Sequence, residues 1–144
     1  MQKYGQVTAT LKSRISSEAF KKPTIPVEFK LLGGGYIQVM CLLDSGSDVI
    51  VLPKGLAELL GLKLSDKIEK SKGIGGEVEV RTSKLNFRLK RDHDYYSFDN
   101  VDIQVVDTDD VPVILGRRGF FERFKITIDE KNEKVILKEN KEEF

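Results

Sequence analysis

The sequence predicts one all-β domain of the closed-barrel type, spanning residues 1–144. A chain of 144 residues has the usual length of a single domain. Short runs of apolar and β-branched residues recur along it, and several alternate with the two-residue period of a β-strand. Glycine, proline and charged residues separate these runs, as turns do in barrels and sandwiches.

The predicted strands follow from this alternation, taken in chain order. They are Gln6–Leu11, Pro26–Leu32, Tyr36–Leu43, Asp48–Leu52, Ile68–Lys72, Glu77–Ser83, Leu85–Leu89, Val101–Val105, Lys125–Ile128 and Lys134–Leu137. Gly33–Gly35 is predicted to be the turn that precedes the third strand, and residues 129–133 the turn of a closing hairpin.

Two short helices are also predicted. The first covers Pro53–Leu60, because proline suits a first helical turn, leucines share one face, and Gly61 is a typical stop. The second covers Arg118–Phe124. The charged and polar segment Lys90–Asn100 is predicted to be a loop, and the charged tail Lys138–Phe144 is expected to fray.

Charge, hydropathy and cysteine content argue against several classes of function. The formal net charge is +1, which gives no reason to expect nucleic acid as a partner. No run is long and apolar enough for a membrane span, and polar residues rather than an apolar signal core follow Met1. The single cysteine, Cys41, lies in an apolar strand, cannot form an internal disulfide and suits a reducing compartment. We therefore expect a cytoplasmic protein that binds neither nucleic acid nor membranes.

The sequence predicts no metal or cofactor site. His93 is the only histidine and lies in a polar stretch without the neighbouring ligands that a metal site needs. The acidic run at residues 107–110 lacks the rest of a calcium-binding loop. The glycine clusters lack the lysine and hydroxyl residue of a phosphate loop. The strand position of Cys41 argues against a catalytic nucleophile.

The strongest functional signal lies where the apolar strand Tyr36–Leu43 ends. There the chain reads Asp44-Ser45-Gly46-Ser47. A carboxylate at the end of a buried strand is costly unless it is hydrogen-bonded or shares a proton, and aspartic proteases use this arrangement. The alternative is an ordinary turn in which the aspartate caps its own backbone.

Two further segments follow this aspartate turn in an informative order. A glycine-rich hairpin tip comes first: Gly73-Ile74-Gly75-Gly76. An apolar segment that ends in glycine and arginine comes later and leads into a short helix: Val113-Ile114-Leu115-Gly116-Arg117. With these three motifs in this order, the chain resembles the retropepsins, the retroviral-type aspartic proteases, and especially their cellular and prokaryotic members. The resemblance covers Val7 to Leu137 and implies the retropepsin-like closed barrel of a single-lobe acid protease.

The resemblance implies a homodimer in which Asp44 is the catalytic residue. The signature occurs once per chain, so a catalytic pair needs Asp44 from each of two chains. Two neighbouring carboxylates share one proton, so that one acts as a base while the other stays protonated. Gly46 lets the backbone turn tightly, and Ser45 is expected to link the two aspartate loops across the dimer. The Ser47 hydroxyl is expected to bond a carboxylate and to lower the pKa of the pair.

The glycine-rich tip resembles a flap that closes over a bound peptide. Glycines at residues 73, 75 and 76 tolerate positive φ and close backbone approach, and Ile74 would place an apolar side chain over the substrate. The hairpin arms are expected to add strands to an extended peptide. A tight turn that only connects two strands is the alternative.

By resemblance, Ile114, Leu115 and Gly116 pass beneath the aspartate loop. Arg117 is then expected to pair with Asp48, four residues beyond the catalytic aspartate, and to support dimerisation. The alternative is two unrelated surface charges, whose exposed pairing would contribute little to stability.

The implied function is that of a homodimeric aspartic endopeptidase. It would hydrolyse peptides or unfolded proteins by water attack between two Asp44 carboxylates, without metal or cofactor. Two alternatives stay open. One is a non-catalytic peptide-binding or dimerisation module that keeps the fold, and the other is a protease that cleaves only itself or one partner.

Overall fold

The computed structural model describes residues 8–12, 14–15, 23–73 and 76–140. The strands in this part of the chain are β1 (Thr8–Lys12), β2 (Arg14–Ile15), β3 (Pro23–Lys30), β4 (Tyr36–Leu43), β5 (Ile50–Pro53), β6 (Glu69–Gly73), β7 (Gly76–Arg91), β8 (Asp94–Val106), β9 (Ile114–Leu115), β10 (Phe124–Asp129) and β11 (Lys134–Glu139). One α-helix, α1, spans Lys54–Leu59, and a 3-10 helix spans Phe121–Arg123. The predicted all-β fold class is therefore confirmed.

The strands form a barrel and a smaller sheet beside it. The larger sheet has the order β2-β3-β4-β9-β5-β8-β7-β6. Because β3 also pairs with β7, through Glu28 with Arg88 and Phe29 with Phe87, this sheet closes on itself. The smaller sheet has the order β1-β11-β10 and is antiparallel throughout.

The barrel encloses a core rich in aromatic side chains. Four phenylalanines are fully buried: Phe29, Phe87, Phe98 and Phe120. The rings of Phe87 and Phe98 stack with centroids 4.3 Å apart, and the ring of Phe120 lies 5.8 Å from that of Phe98. These contacts join β7, β8 and the segment after β9, so they hold the strands around the candidate site.

The predicted loop at Lys90–Asn100 is wrong. The segment is the end of β7, a two-residue turn at Asp92 and His93, and the first half of β8. Its charged residues lie on the outer face, whereas Tyr96 and Phe98 face inward, and Phe98 is fully buried. The two-residue alternation was present, but polar residues outnumbered the inward ones and hid it.

Three other boundaries also differ from the prediction. Glu77–Ser83 and Leu85–Leu89 belong to the single strand β7, and at Asn86 this strand faces a bulge of β8 formed by Asp99 and Asn100. The second predicted helix is only the 3-10 turn, because Gly119 has a φ of +87° and breaks the helical run. The tail does not fray from residue 138, since Lys138 and Glu139 lie in β11 and pair with Lys125 and Phe124 of β10. Residues 141–144 lie outside the described part.

No helix among the described residues is long and apolar enough to cross a membrane.

Candidate active site

Asp44 stands where β4 leaves the core. The preceding residue, Leu43, is buried, and β4 runs parallel to β9. The Leu42 amide donates to the Val113 carbonyl at 2.8 Å, and the Asp44 amide donates to the Leu115 carbonyl at 3.1 Å. These bonds fix the backbone of Asp44 while its half-buried side chain remains at the surface of a single chain.

The aspartate loop folds around the carboxylate of Asp44. The Gly46 amide donates to Asp44 Oδ1 at 2.9 Å, and the Ser47 amide donates to the Asp44 carbonyl at 3.1 Å. A Cβ atom at Gly46 would lie 3.1 Å from Asp44 Oδ1, so a side chain there would crowd the carboxylate. An aspartate that only caps its own turn would show the same local bonds. The catalytic and the turn-capping interpretations of Asp44 differ in what faces the carboxylate from outside.

The two serines of the loop are placed differently. Ser45 is exposed and therefore accessible to a second chain. The Ser47 hydroxyl instead donates to the Val49 carbonyl at 2.8 Å. Since a hydroxyl carries one proton, this bond replaces the predicted one to a carboxylate, and the expected effect of Ser47 on the pKa of the pair has no geometric support.

Replacing Ser47 with alanine is accordingly expected to weaken the loop without moving the pH–rate profile. The lost bond to the Val49 carbonyl should lower the free energy of unfolding by about 1 kcal/mol. Urea denaturation of Ser47→Ala measures the first effect, and cleavage rates over a pH series measure the second. A pH–rate profile that moves in Ser47→Ala would instead support the predicted hydrogen bond from Ser47 to a carboxylate of the pair.

Gly116 lies directly beneath the aspartate loop. It is buried, and a Cβ atom there would overlap the Val49 carbonyl and approach the Ser47 carbonyl oxygen to 2.7 Å. Backbone bonds on both sides keep the two segments together: the Arg117 amide donates to the Ser47 carbonyl at 2.8 Å, and the Arg118 amide donates to the Asp48 carbonyl at 2.9 Å. Only a glycine fits between the two backbones.

Arg117 and Asp48 form an ion pair on the outer side of this contact. Arg117 Nη2 lies 2.6 Å from Asp48 Oδ1, and the two side chains are 60% and 74% exposed in the single chain. An exposed pair contributes little to the stability of one chain. The pair lies next to the aspartate loop, and breaking it would cost more free energy if a second chain covered it.

The hairpin of β6 and β7 lies where the flap arms are predicted. Its strands pair from Glu69 with Val80 to Gly73 with Gly76, close to the predicted bounds. Gly76 has a φ of +112°, a conformation that favours glycine. Ile74 and Gly75 at the predicted tip lie outside the described residues.

Ser65 holds the base of this hairpin and was not singled out from the sequence. Its amide and hydroxyl bond the backbone of Thr82 at 2.9 and 3.0 Å, and its carbonyl accepts from Arg81 Nη1 at 3.0 Å. Asp109 likewise holds the start of α1, accepting from the Gly55 amide at 2.7 Å. Both partners are distant in sequence, so neither contact produces a local sequence signal.

The other reactive groups in the described part of the chain do not form a second centre. Within the described ranges, no group of three or more His, Cys, Asp or Glu side chains could hold a metal ion. Burial raises the pKa of the Cys41 thiol, whose Sγ donates to the Val39 carbonyl at 3.5 Å. The neutral, buried thiol is unsuited to nucleophilic attack.

Comparison with known proteins agrees with this architecture. The structure is similar to that of a retropepsin-like aspartic protease from Rickettsia conorii, with a TM-score of 0.61 and 22% sequence identity over 91% of this chain and 98% of the other. It also matches EIAV protease complexed with the inhibitor HBY-793, with a TM-score of 0.43 and 24% identity over 72% of this chain and 88% of the other. No curated protein gives a significant match. The aspartyl protease family model matches residues 25–118, a stretch that includes Asp44 and Arg117, so the chain belongs to the aspartyl protease family.

Proposed function

We propose that this chain is one half of a homodimeric aspartic endopeptidase and that Asp44 is its catalytic residue. One observation carries the proposal: Asp44 leaves β4 in a loop that β9 and Gly116 support from below, with its carboxylate at the surface. Backbone contacts that hold one carboxylate in place in this way suit a catalytic residue better than an aspartate that only caps a turn. Because one chain supplies one such aspartate, the complete site takes Asp44 from each of two chains.

Two such carboxylates can carry out both proton transfers that amide hydrolysis requires. Like charges a few ångströms apart do not both ionise easily, so the pair holds one proton at working pH. The ionised Asp44 removes a proton from water as it attacks the scissile carbonyl. The protonated Asp44 of the other chain first stabilises the developing oxyanion, and a carboxyl proton then passes to the departing nitrogen. The pH dependence belongs to the pair rather than to either residue.

The β6–β7 hairpin is the proposed flap. An extended peptide beneath it can bond to the backbone of the arms as an added strand, which positions the scissile bond without demanding one side chain. The glycines at its tip allow opening and closure. Residues 1–144 act as one domain in this proposal, and the buried thiol of Cys41 suits a reducing, cytoplasmic setting.

The test is cleavage of an unfolded protein from pH 3 to 8, with products identified by mass spectrometry. We expect new termini at internal peptide bonds and a rate per chain that falls on dilution, because dimers dissociate. A rate per chain that stays constant for a chain shown to be monomeric would contradict the shared site. A dimer that binds peptides but cleaves none would instead be the non-catalytic module.

Replacing Arg117 with alanine is expected to weaken dimerisation and activity together. The ion pair with Asp48 is exposed in one chain, so the fold of that chain should lose less than about 1 kcal/mol. If a second chain covers the pair, its removal leaves Asp48 without its partner at the interface, which costs much more. Sedimentation equilibrium and cleavage rates at matched concentrations measure both effects.

Lys84→Ala is the matched control for this substitution, since Lys84 of β7 forms a similarly exposed ion pair with Asp102 of β8 at 2.7 Å. Equal dimer affinity and activity in the Arg117→Ala and Lys84→Ala variants would mean that Arg117 and Asp48 are surface charges with no role in dimerisation.

A further inference from the structure

We propose that Ser65 is a positioning residue for peptide binding: it fixes the base of the β6–β7 hairpin and thereby sets how tightly the hairpin holds a peptide. This inference rests on the proposed function for its premise that the hairpin closes over a peptide. It adds to that function a residue outside the aspartate loop, whose effect falls on binding rather than on the chemical step.

Ser65 lies in the segment that joins α1 to β6. This segment, residues 61–68, contains no helix or strand, yet it runs beside β7 and is bonded to it. One of these bonds comes from the wall of the barrel, where the hydroxyl of the buried Ser83 donates to the Lys63 carbonyl at 2.7 Å. The segment is therefore attached to β7 before it reaches Ser65.

Ser65 bonds to its surroundings through its amide, its hydroxyl and its carbonyl. The amide donates to the Thr82 carbonyl at 2.9 Å, and Oγ accepts from the Thr82 amide at 3.0 Å. The hydroxyl proton goes to the Lys67 carbonyl at 3.1 Å, and the Ser65 carbonyl accepts from Arg81 Nη1 at 3.0 Å. Because each polar group has a partner, the side chain is held in one orientation.

These bonds replace the next step of the β6–β7 ladder. The last pair of that ladder is Glu69 with Val80. The same antiparallel register would next place Lys67 opposite Thr82, but Thr82 bonds Ser65 instead. The three residues between Ser65 and Glu69 therefore leave the ladder. The Ser65 hydroxyl bridges this gap, because it bonds β7 at Thr82 and the approach to β6 at Lys67.

The position of Ser65 along β7 gives the contact its effect on the hairpin. Thr82 also lies opposite Gln104 of β8, so its backbone belongs to the barrel. β6 pairs only with β7 among the described strands. A movement of the hairpin relative to the barrel must therefore change the chain near Val80 on one arm and near Lys67 on the other. The Ser65 hydroxyl bonds at the barrel end of both arms.

Loss of this hydroxyl would leave two backbone groups without their present partner, the Thr82 amide and the Lys67 carbonyl. The Ser65 amide would still donate to the Thr82 carbonyl, so the segment should remain attached to β7. The hairpin should then occupy the position that meets a peptide for a smaller fraction of the time. The apparent affinity for a peptide falls by that same fraction.

The kinetic test is the separation of KM from kcat in Ser65→Ala. We expect KM to rise about fivefold, the factor that corresponds to the loss of one typical hydrogen bond, and kcat to change by less than about twofold. A rise in KM alone means that the lost contact served the bound peptide and the transition state equally. The substrate is a synthetic peptide that spans a cleavage site identified by mass spectrometry.

Two further variants distinguish positioning from a general loss of stability. Ser65→Thr keeps the hydroxyl and should return KM to within about twofold of wild type. Asn86→Ala is the matched control, because it removes another side-chain bond to the backbone, in which Asn86 Oδ1 accepts from the Asn100 amide at 2.7 Å. It should lower stability without raising KM. Circular dichroism and thermal unfolding at one protein concentration show whether each variant is folded.

Amide hydrogen exchange measures the movement of the hairpin without reference to activity. In Ser65→Ala, exchange in fragments that cover residues 69–80 should become about fivefold faster, whereas fragments from β3 and β4 should keep their wild-type rates. In Asn86→Ala the ratio of hairpin exchange to barrel exchange should equal that of wild type.

The outcomes separate this inference from the proposed function. An active Ser65→Ala variant with unchanged KM and unchanged hairpin exchange would overturn the role of Ser65 and leave the protease proposal intact. Equal rises of KM in Ser65→Ala and Asn86→Ala, or a fall in kcat without a rise in KM, would overturn it as well. Faster exchange confined to the hairpin, in a protein that cleaves no peptide, would support Ser65 as the base of the hairpin and contradict the enzyme.

Discussion

Replacing Asp44 with asparagine is expected to lower kcat/KM for peptide hydrolysis by at least about a thousandfold while the chain stays folded. Asparagine has nearly the same shape, and its Oδ1 can still accept the Gly46 amide bond of 2.9 Å. It can neither act as a general base nor share the proton of a carboxylate pair. The measurement is the cleavage rate of an unfolded protein across pH 3–8, with thermal unfolding of both proteins as the control for folding.

The same variant should also inactivate wild-type chains when the two are mixed. If the site is shared, a tenfold excess of Asp44→Asn chains converts most wild-type chains into heterodimers with one catalytic carboxylate, and about nine tenths of the activity should disappear. An equal excess of an unrelated protein controls for competition. Undiminished activity in the mixture would mean that one chain carries a complete site, and activity in Asp44→Asn alone would remove Asp44 from the mechanism.

Replacing Gly116 with alanine is expected to lower the free energy of unfolding by about 3 kcal/mol and to abolish activity. The added methyl group would overlap the Val49 carbonyl and press on that of Ser47. These are backbone atoms, and the bonds from the Arg117 and Arg118 amides prevent the two segments from separating. Relief therefore requires breaking those bonds, which displaces the aspartate loop.

Gly33→Ala is the matched control for this substitution. A Cβ atom at Gly33 would meet nothing within 4 Å, and its backbone is not in the positive-φ region. Urea denaturation at one fixed protein concentration compares the two variants, because dimerisation would make stability depend on concentration. Equal stability of Gly116→Ala and wild type would show that the loop can shift, and the proposed support of Asp44 would be wrong.

Much of the fold could be predicted because its inner strands alternate strongly. Tyr36–Leu43 was predicted with its observed bounds because it is an almost continuous apolar run, in which Cys41 and Leu43 face the core. The first half of β8 was missed because its outer face is charged and its inward residues are few. The closure of the barrel through β3 and β7 depends on pairing between residues far apart in sequence. Phe29 and Phe87, whose ring centroids lie 6.0 Å apart, are 58 positions apart, and local patterns contain no such information.

The candidate site was predicted in part. The Asp44 motif, Gly116 and the Arg117–Asp48 pair all came from the order of three motifs, and the structure brings these residues into contact. The hydrogen bond of Ser47 was assigned incorrectly, because a hydroxyl two residues from a carbonyl has a local partner that a motif does not reveal. Ser65 and Asp109 act across long sequence separations, so their roles emerged only from the folded chain.

The length of β7 has a consequence for how the molecule fluctuates. From Val80 onwards this strand pairs with β8, and at Phe87 and Arg88 it also pairs with β3. Before Val80 it pairs only with β6, and the Glu79 carbonyl accepts from the Asp107 amide at 2.9 Å. One continuous strand thus crosses from a weakly cooperative region into a strongly cooperative one, with the Ser65 contacts as the boundary. Opening of the hairpin is therefore expected to be a sub-global event that does not require the barrel to unfold, so the proposed flap can open without loss of native stability.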